Sequence, residues 1–153
     1  MEISIRDARA VDASGVASLL TQLGYRSSSD EAAERLAEWR ESPLSGVIVA
    51  ADGRRVAGVL AIHAIPFLEH AGRRGRVVCL VVDEAYRGQG LGTRLMAAAE
   101  AEARRLGCTD IEVTSSRTRT EAHAFYLRMG YHDCCDRSAR FLRPLPPGPG
   151  MVA

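Results

Sequence analysis

The run Val81-Val82-Asp83-Glu84-Ala85-Tyr86-Arg87-Gly88-Gln89-Gly90-Leu91-Gly92-Thr93-Arg94-Leu95 constrains this chain more than any other segment. An apolar strand ends, a short loop turns, and a glycine-spaced stretch opens a helix. Several backbone N–H groups without helical partners, and the positive end of a helix dipole, then converge on one point. A diphosphate is the natural occupant of such a point. A side chain at Gly88, Gly90 or Gly92 would hold the phosphates away from the backbone.

Spacing excludes two common nucleotide loops. A dinucleotide fingerprint needs G-x-G-x-x-G, whereas this chain has Gly88-x-Gly90-x-Gly92 and no acidic residue ending a following strand at the required distance. A Walker loop needs a lysine, and all 20 basic residues here are arginine. The same absence rules out Schiff-base chemistry on a lysine side chain. The net charge of +1 gives no overall field for nucleic acid or for a membrane surface, so neither is an expected partner. Cys79, Cys108, Cys134 and Cys135 form no C-x-x-C pair, so reduced thiols are expected, with no bound metal. No signal-peptide pattern opens the sequence and no apolar stretch is long enough to span a bilayer, which makes a cytoplasmic location the expectation.

The 153 residues suit one domain, expected over 1–145, with a disordered tail at 146–153 in a proline- and glycine-rich end. Ile3 and Ile5 mark a first strand. Asp12 is placed to cap a helix carrying Val16, Leu19, Leu20 and Leu23, stopped by Gly24. Ser28-Ser29-Asp30-Glu31 is a capping box for a second helix, which carries Leu36 and Trp39. Gly46 to Ala51, Asp52-Gly53, then Val56 to Ile65 predict a hairpin. Phe67 to Arg74 is expected as an exposed loop, and Val77 to Val82 as a central strand buried on both faces. The helix after the glycines carries Leu91, Leu95, Ala99, Ala103 and Leu106 on one side, and Asp110 to Ser115 follows as a strand. Thr118-Arg119-Thr120-Glu121 is a further capping box, and Tyr131 to Asp136 with Ala139 to Leu142 predict a closing hairpin. The predicted order is β-α-α-β-β-β-α-β-α-β-β.

A second motif follows the glycine helix: Ala122-His123-Ala124-Phe125-Tyr126-Leu127-Arg128-Met129-Gly130-Tyr131. The two motifs, in this order and on these element types, resemble the GNAT superfamily of acyl-CoA N-acyltransferases. The Ala-His-x-Phe-Tyr-x-x-x-Gly-Tyr form is most similar to the branch that includes aminoalkylphosphonate and other small-amine acetyltransferases. The resemblance implies an α/β fold with a central mixed, mostly antiparallel sheet of about seven strands and helices on both faces. It implies acetyl-CoA as co-substrate and a small-molecule amine as acceptor, and it leaves monomer and homodimer both open.

By this resemblance the diphosphate rests on amides of Arg87, Gly88, Gln89, Gly90, Leu91, Gly92 and Thr93. The pantetheine arm pairs like a strand with Leu80, Val81 and Val82, beside a neighbour that splays away. Tyr126 is the general acid toward the departing sulfur, with the structural alternative that it is a core aromatic beside Phe125. Ser116 occupies the place where relatives often carry an asparagine that contacts the pantetheine. Many relatives also carry a glutamate base on the central strand, and by register that place holds Val78. The substitutes are His63, Glu69, His70 and Glu112, with the histidines first, and each is otherwise a packed or solvated side chain. His123 lies three residues before Tyr126 and shares its helix face. Arg73, Arg74 and Arg76 form a basic cluster fit to hold an anionic acceptor, or else a solvated face. Two other functions stay open: a protein or peptide N-terminal acetyltransferase, and a regulatory module that binds CoA without catalysis.

Overall fold

The computed structural model describes residues 2–148. Among them five strands form one sheet in the order β1 (Ile3–Asp7), β2 (Ser45–Asp52), β3 (Arg55–Pro66), β4 (Arg73–Val82), β5 (Cys108–Val113). The helices are α1 (Ala13–Leu23), α2 (Ser29–Glu41), α3 (Leu91–Arg105) and α4 (Thr120–Arg128), with 3-10 turns at Ala10–Asp12 and Glu84–Tyr86. The chain divides into two compact units, the first ending at Thr114 and the second beginning at Ser115. The sheet and α1 to α3 belong to the first unit, and α4 to the second.

Neighbouring strands pair antiparallel from β1 to β4, while β4 and β5 run parallel and are joined through α3. Successive residues of a strand face opposite ways. On β3, Val59 joins Val81 in a cluster with Val16, Leu19 and Leu36 of α1 and α2. Gly58, next to it, faces the other way. A Cβ there would lie 2.9 Å from Leu95 Cδ1 of α3 and 3.3 Å from the Val81 carbonyl. Helices therefore cover both faces, as expected. The predicted stripe of α3 is the buried one, with Leu91, Leu95, Ala99, Ala103 and Leu106 all under 7 % exposed.

Local signals held where nothing distant competed. Ser28 Oγ accepts from the Glu31 amide and Glu31 Oε1 from the Ser28 amide, both at 3.1 Å. Gly24 ends α1 in the left-handed conformation. The β2–β3 turn falls on Gly53 and Arg54, since Asp52 pairs with Arg55.

Other expectations need correction. The sheet has five strands among the described residues, not about seven. In place of the closing hairpin, the Cys134 carbonyl accepts the amides of Arg137 (3.0 Å) and Ser138 (3.1 Å). That turn folds the chain onto itself, and Phe141 and Leu142 stay exposed instead of entering a ladder. The expected loop before the central strand is shorter than predicted, because Arg73 to Arg76 are already in β4. The Thr118 box does not form. Ser116 Oγ bonds Thr118 Oγ1 at 3.0 Å and accepts the Thr118 amide, and α4 starts at Thr120 without a side-chain cap. The predicted tail at 146–153 lies mostly outside the described residues, at 149–153.

Asp12 likewise makes no cap to α1. Its carboxylate, 3 % exposed, receives Arg6 Nη1 at 2.8 Å and Nη2 at 2.9 Å, together with the Arg9 amide at 2.7 Å. The hydrogen bonds from Arg6 lead in holding its pKa below the usual carboxylate value, against the opposing effect of burial. A carboxyl with a depressed folded-state pKa stabilises the fold above its unfolded pKa, and the contribution is lost as pH falls through the folded value. Asp12→Asn is therefore expected to cost about 3 kcal/mol at pH 7. Its deficit against the parent should shrink on acidification below about pH 4. Urea unfolding at pH 7 and pH 3 measures both, and a deficit that does not change with pH would contradict the assignment.

Candidate active site

The parallel ladder between β4 and β5 ends at Val77 opposite Val113. β4 continues to Val82, paired only with β3 on its other side. From Val78 to Val82 the second edge of β4 thus has no strand partner among the described residues. A β-bulge marks the start of this stretch. Ala61 pairs with Cys79 and Ile62 with Val77, so Val78 is the extra residue, and its side chain is 51 % exposed. Bulges bend a strand and terminate pairing, which fits a sheet opening at this point. Leu80, Val81 and Val82 thus have no strand partner on that side among the described residues, and the strand is not buried along both faces. An extended ligand bearing amides is the complement of such an edge.

Past Val82 the chain makes the 3-10 turn Glu84–Tyr86 and reaches the glycines. Gly88 and Gly90 adopt φ +77° and +78°, and a Cβ on either would meet nothing within 4 Å. The conformation disfavours side chains, yet the space in front of the loop is clear. Gly90 is the N-cap of α3 and supplies no side chain to its first turn. Among the described residues, the amides of Gly88, Gln89 and Gly90 donate to no protein group. Those of Leu91, Gly92 and Thr93 lie in the first turn, where an α-helix offers no acceptor. Six consecutive donors at a helix N-terminus fit a diphosphate. Arg87 caps the 3-10 turn, and its Nε donates to the Val82 carbonyl at 3.3 Å.

The loop is pinned from behind by residues that the sequence reading did not single out. Tyr86 is buried and its hydroxyl donates to Asp52 Oδ2 at 2.6 Å. Arg55 lies over the Tyr86 ring at 5.0 Å and reaches Asp83 Oδ2 at 3.2 Å. Asp83 Oδ1 accepts the Ala85 amide at 2.8 Å, and this bond leads in holding the Asp83 carboxyl below its usual pKa. Asp52 and Arg55 flank the hairpin turn, about 30 residues from their partners in sequence. No periodicity or motif exposes such a pairing. Of two surface hollows in this unit, one of about 310 Å³ lies between α1 and the hairpin turn, beside Arg55 and Asp83, and one of about 280 Å³ between β1 and α3.

In the second unit Tyr126 is half-buried on α4, with its ring centroid 5.2 Å from Phe125 and 6.1 Å from Tyr131. Ser116 turns its hydroxyl to Thr118, as described above. His123 Nε2 donates to the Ser116 carbonyl at 2.8 Å, anchoring the start of α4.

The model of the "Acetyltransferase (GNAT) family" matches residues 14–131, a span that includes both motifs. The chain belongs to the GNAT family. It is 42 % identical over 76 residues to aminoalkylphosphonate N-acetyltransferase of Salmonella typhimurium, covering 50 % of this chain and 49 % of that one. It is 34 % identical over 82 residues to glucosamine 6-phosphate N-acetyltransferase 1 of Oryza sativa subsp. japonica, covering 54 % and 48 %. The chain thus spans about half the length of the curated relatives it matches. Its fold is that of a solved transcriptional regulator from Bacillus halodurans C-125, at TM-score 0.82 and 24 % identity over 94 % of this chain and 99 % of the other. Among the described residues no helix is long and apolar enough to cross a membrane.

Against the GNAT resemblance, the residues weighed as bases sit in four different settings. His63 on β3 is half-buried, with Nδ1 2.7 Å from Ser45 Oγ and its ring edge-on to Trp39. His70 is exposed in the β3–β4 loop, stacked on Phe67 at 4.1 Å, with Nδ1 donating to the Ala71 carbonyl. Glu69 is exposed beside it. Glu112 on β5 faces Arg76, with Oε1 3.9 Å from Nε. The arginine cluster is engaged rather than free for an acceptor. Arg74 forms two 2.8 Å bonds with Asp110, and Arg73 donates to the Leu106 carbonyl at 2.7 Å. Only Arg76, at 3.9 Å from its carboxylate, is loosely held.

Because a Cβ at Gly90 meets no atom, Gly90→Ala isolates the cost of its backbone conformation. The expected loss is about 1 kcal/mol in chemical unfolding. A neutral or stabilising result would contradict the left-handed geometry of the loop.

Proposed function

We propose that this chain is an acetyl-CoA-dependent N-acetyltransferase that moves an acetyl group directly to the primary amine of a small molecule. The observation that carries this reading is the run of amides from Gly88 to Thr93 without a protein acceptor, which follows in the chain the edge of β4 that has no strand partner among the described residues. When bound, acetyl-CoA supplies an already activated thioester, so no covalent intermediate on a side chain is required. The amides of residues 87–93 hold the diphosphate. The edge at Leu80, Val81 and Val82 orients the pantetheine, and an N–H of Val81 or Val82 faces the developing oxyanion. Tyr126 holds a phenolic proton for the departing sulfur, and at that atom a positioned acid lowers the barrier. Ser116, shorter than the asparagine it replaces and turned to Thr118, contributes little to the pantetheine.

The family model spans both compact units, which supports one transferase domain over 1–145. The named relatives act on amines that also carry phosphonate or phosphate. An amine with an anionic group is therefore the acceptor class to try first. The exposed valine at position 78 favours a second reading, a module that binds CoA without transfer.

A thiol-release assay separates the two. Acetyl-CoA with aminomethylphosphonate or glucosamine 6-phosphate is expected to release thiol and give the acetamide. Binding of CoA without acceleration by any amine over a broad pH range would overturn the transferase reading. Gly90→Arg, which fills the seat with a side chain, should abolish CoA binding in calorimetry. Tyr126→Phe should lower kcat by roughly tenfold or more with little change in CoA affinity. Unchanged turnover would remove Tyr126 from the chemistry.

A further inference from the structure

A single polar row crosses the sheet. Ser45 of β2 pairs with His63 of β3, His63 with Arg76 of β4, and Arg76 with Glu112 of β5. Directly opposed residues in a sheet share a face. Trp39 of α2 packs on His63, so this is the face that α2 covers. The row lies one residue before Val77, where the β4–β5 ladder ends and the open edge begins. It therefore borders the start of the open edge, at the end away from the glycine loop.

The hydroxyls beside His63 favour one of its tautomers. Ser45 Oγ donates to Ser42 Oγ at 3.0 Å, which leaves its lone pairs toward His63 Nδ1, 2.7 Å away. Nδ1 then carries the hydrogen and donates, and Nε2 keeps its lone pair. The groups facing the imidazole are Ser45 from β2, Trp39 from α2 and Arg76 from β4, with Glu112 of β5 beyond Arg76. The charged side chains of α2 nearest Trp39, namely Glu38, Arg40 and Glu41, are exposed to solvent. Among the described residues no carboxylate forms an ion pair or hydrogen bond with the ring, whose one hydrogen bond is to Ser45.

We infer that His63 is the base of the reaction proposed above, and that Ser45 and Ser42 are the positioning residues that hold its Nε2 unprotonated toward the acceptor. The inference rests on the transferase reading. The proton balance is simple. The acceptor arrives as an ammonium, its N–H bond breaks with the proton passing to His63 Nε2, and the freed lone pair attacks the acyl carbon. This assignment fills the role left vacant by Val78 and sets aside His70, which is exposed in the β3–β4 loop, and Glu112, which faces Arg76.

The test uses the full chain with acetyl-CoA and aminomethylphosphonate. His63→Gln is expected to lower kcat/KM about 100-fold at neutral pH. The deficit should shrink as pH rises and the amine loses its proton without help. CoA affinity by calorimetry should be unchanged. A merely structural role would give a deficit independent of pH, and that result overturns the inference, as does full activity of the variant. If CoA neither binds nor reacts with the parent chain, the transferase reading falls and this inference with it. An arm independent of activity is the imidazole 15N spectrum of the parent. Protonated Nδ1 and bare Nε2 at His63 are expected, with loss of that preference in Ser45→Ala. The opposite tautomer would overturn the assignment whatever the kinetics.

Discussion

The structure depends on a mismatch of strand lengths. β5 stops pairing at Val113, while β4 runs five residues further, to Val82, with β3 as its one strand partner there among the described residues. A buried, unpartnered strand edge is costly, because each N–H and C=O left without water or a partner forfeits a hydrogen bond. Such an edge persists only if solvent or a ligand satisfies it. The bulge at Val78 begins the opening by releasing one residue of β4 from register with β3. The sheet thereby leaves an extended edge without any polar side chain along it, since Leu80, Val81 and Val82 are all apolar.

The same strand delivers the chain to the glycine turn, and the turn needs rigidity that glycine cannot provide. The contacts behind it supply that rigidity. Tyr86 anchors to Asp52 and Asp83 to Arg55, which ties the loop to the β2–β3 hairpin. Leu91 and Leu95 then bury the start of α3 against the sheet. The donors are thus held by one apolar contact surface and one polar clasp, while their outward side stays clear. Preorganised amides of this kind need no rearrangement to meet an anion.

Much of this was legible in the sequence because the signals were local. The Ser28 box, Gly24, the hairpin around Gly53 and the apolar stripe of α3 each depend on residues within a turn or two of one another. The glycine turn was equally readable, because its positive φ values and its amides without protein acceptors are set by the segment itself. Signals failed where a distant or better-placed partner intervened. Asp12 left its cap for Arg6, six residues away on β1, and Ser116 occupied the Thr118 that would have capped α4. Arg73 to Arg76 look like a solvated loop until Asp110 and Glu112 of β5 are set beside them. The row from Ser45 to Glu112 is invisible along the chain, because its members come together only through strand register.

The central claim is that backbone amides at the opening of α3 hold the diphosphate of coenzyme A. The most direct measurement is a 1H–15N spectrum of the full chain titrated with CoA. Saturable shifts centred on the amides of Gly88, Gln89, Gly90, Leu91, Gly92 and Thr93 are the predicted result. CoA that binds while those resonances stay in place would contradict the account.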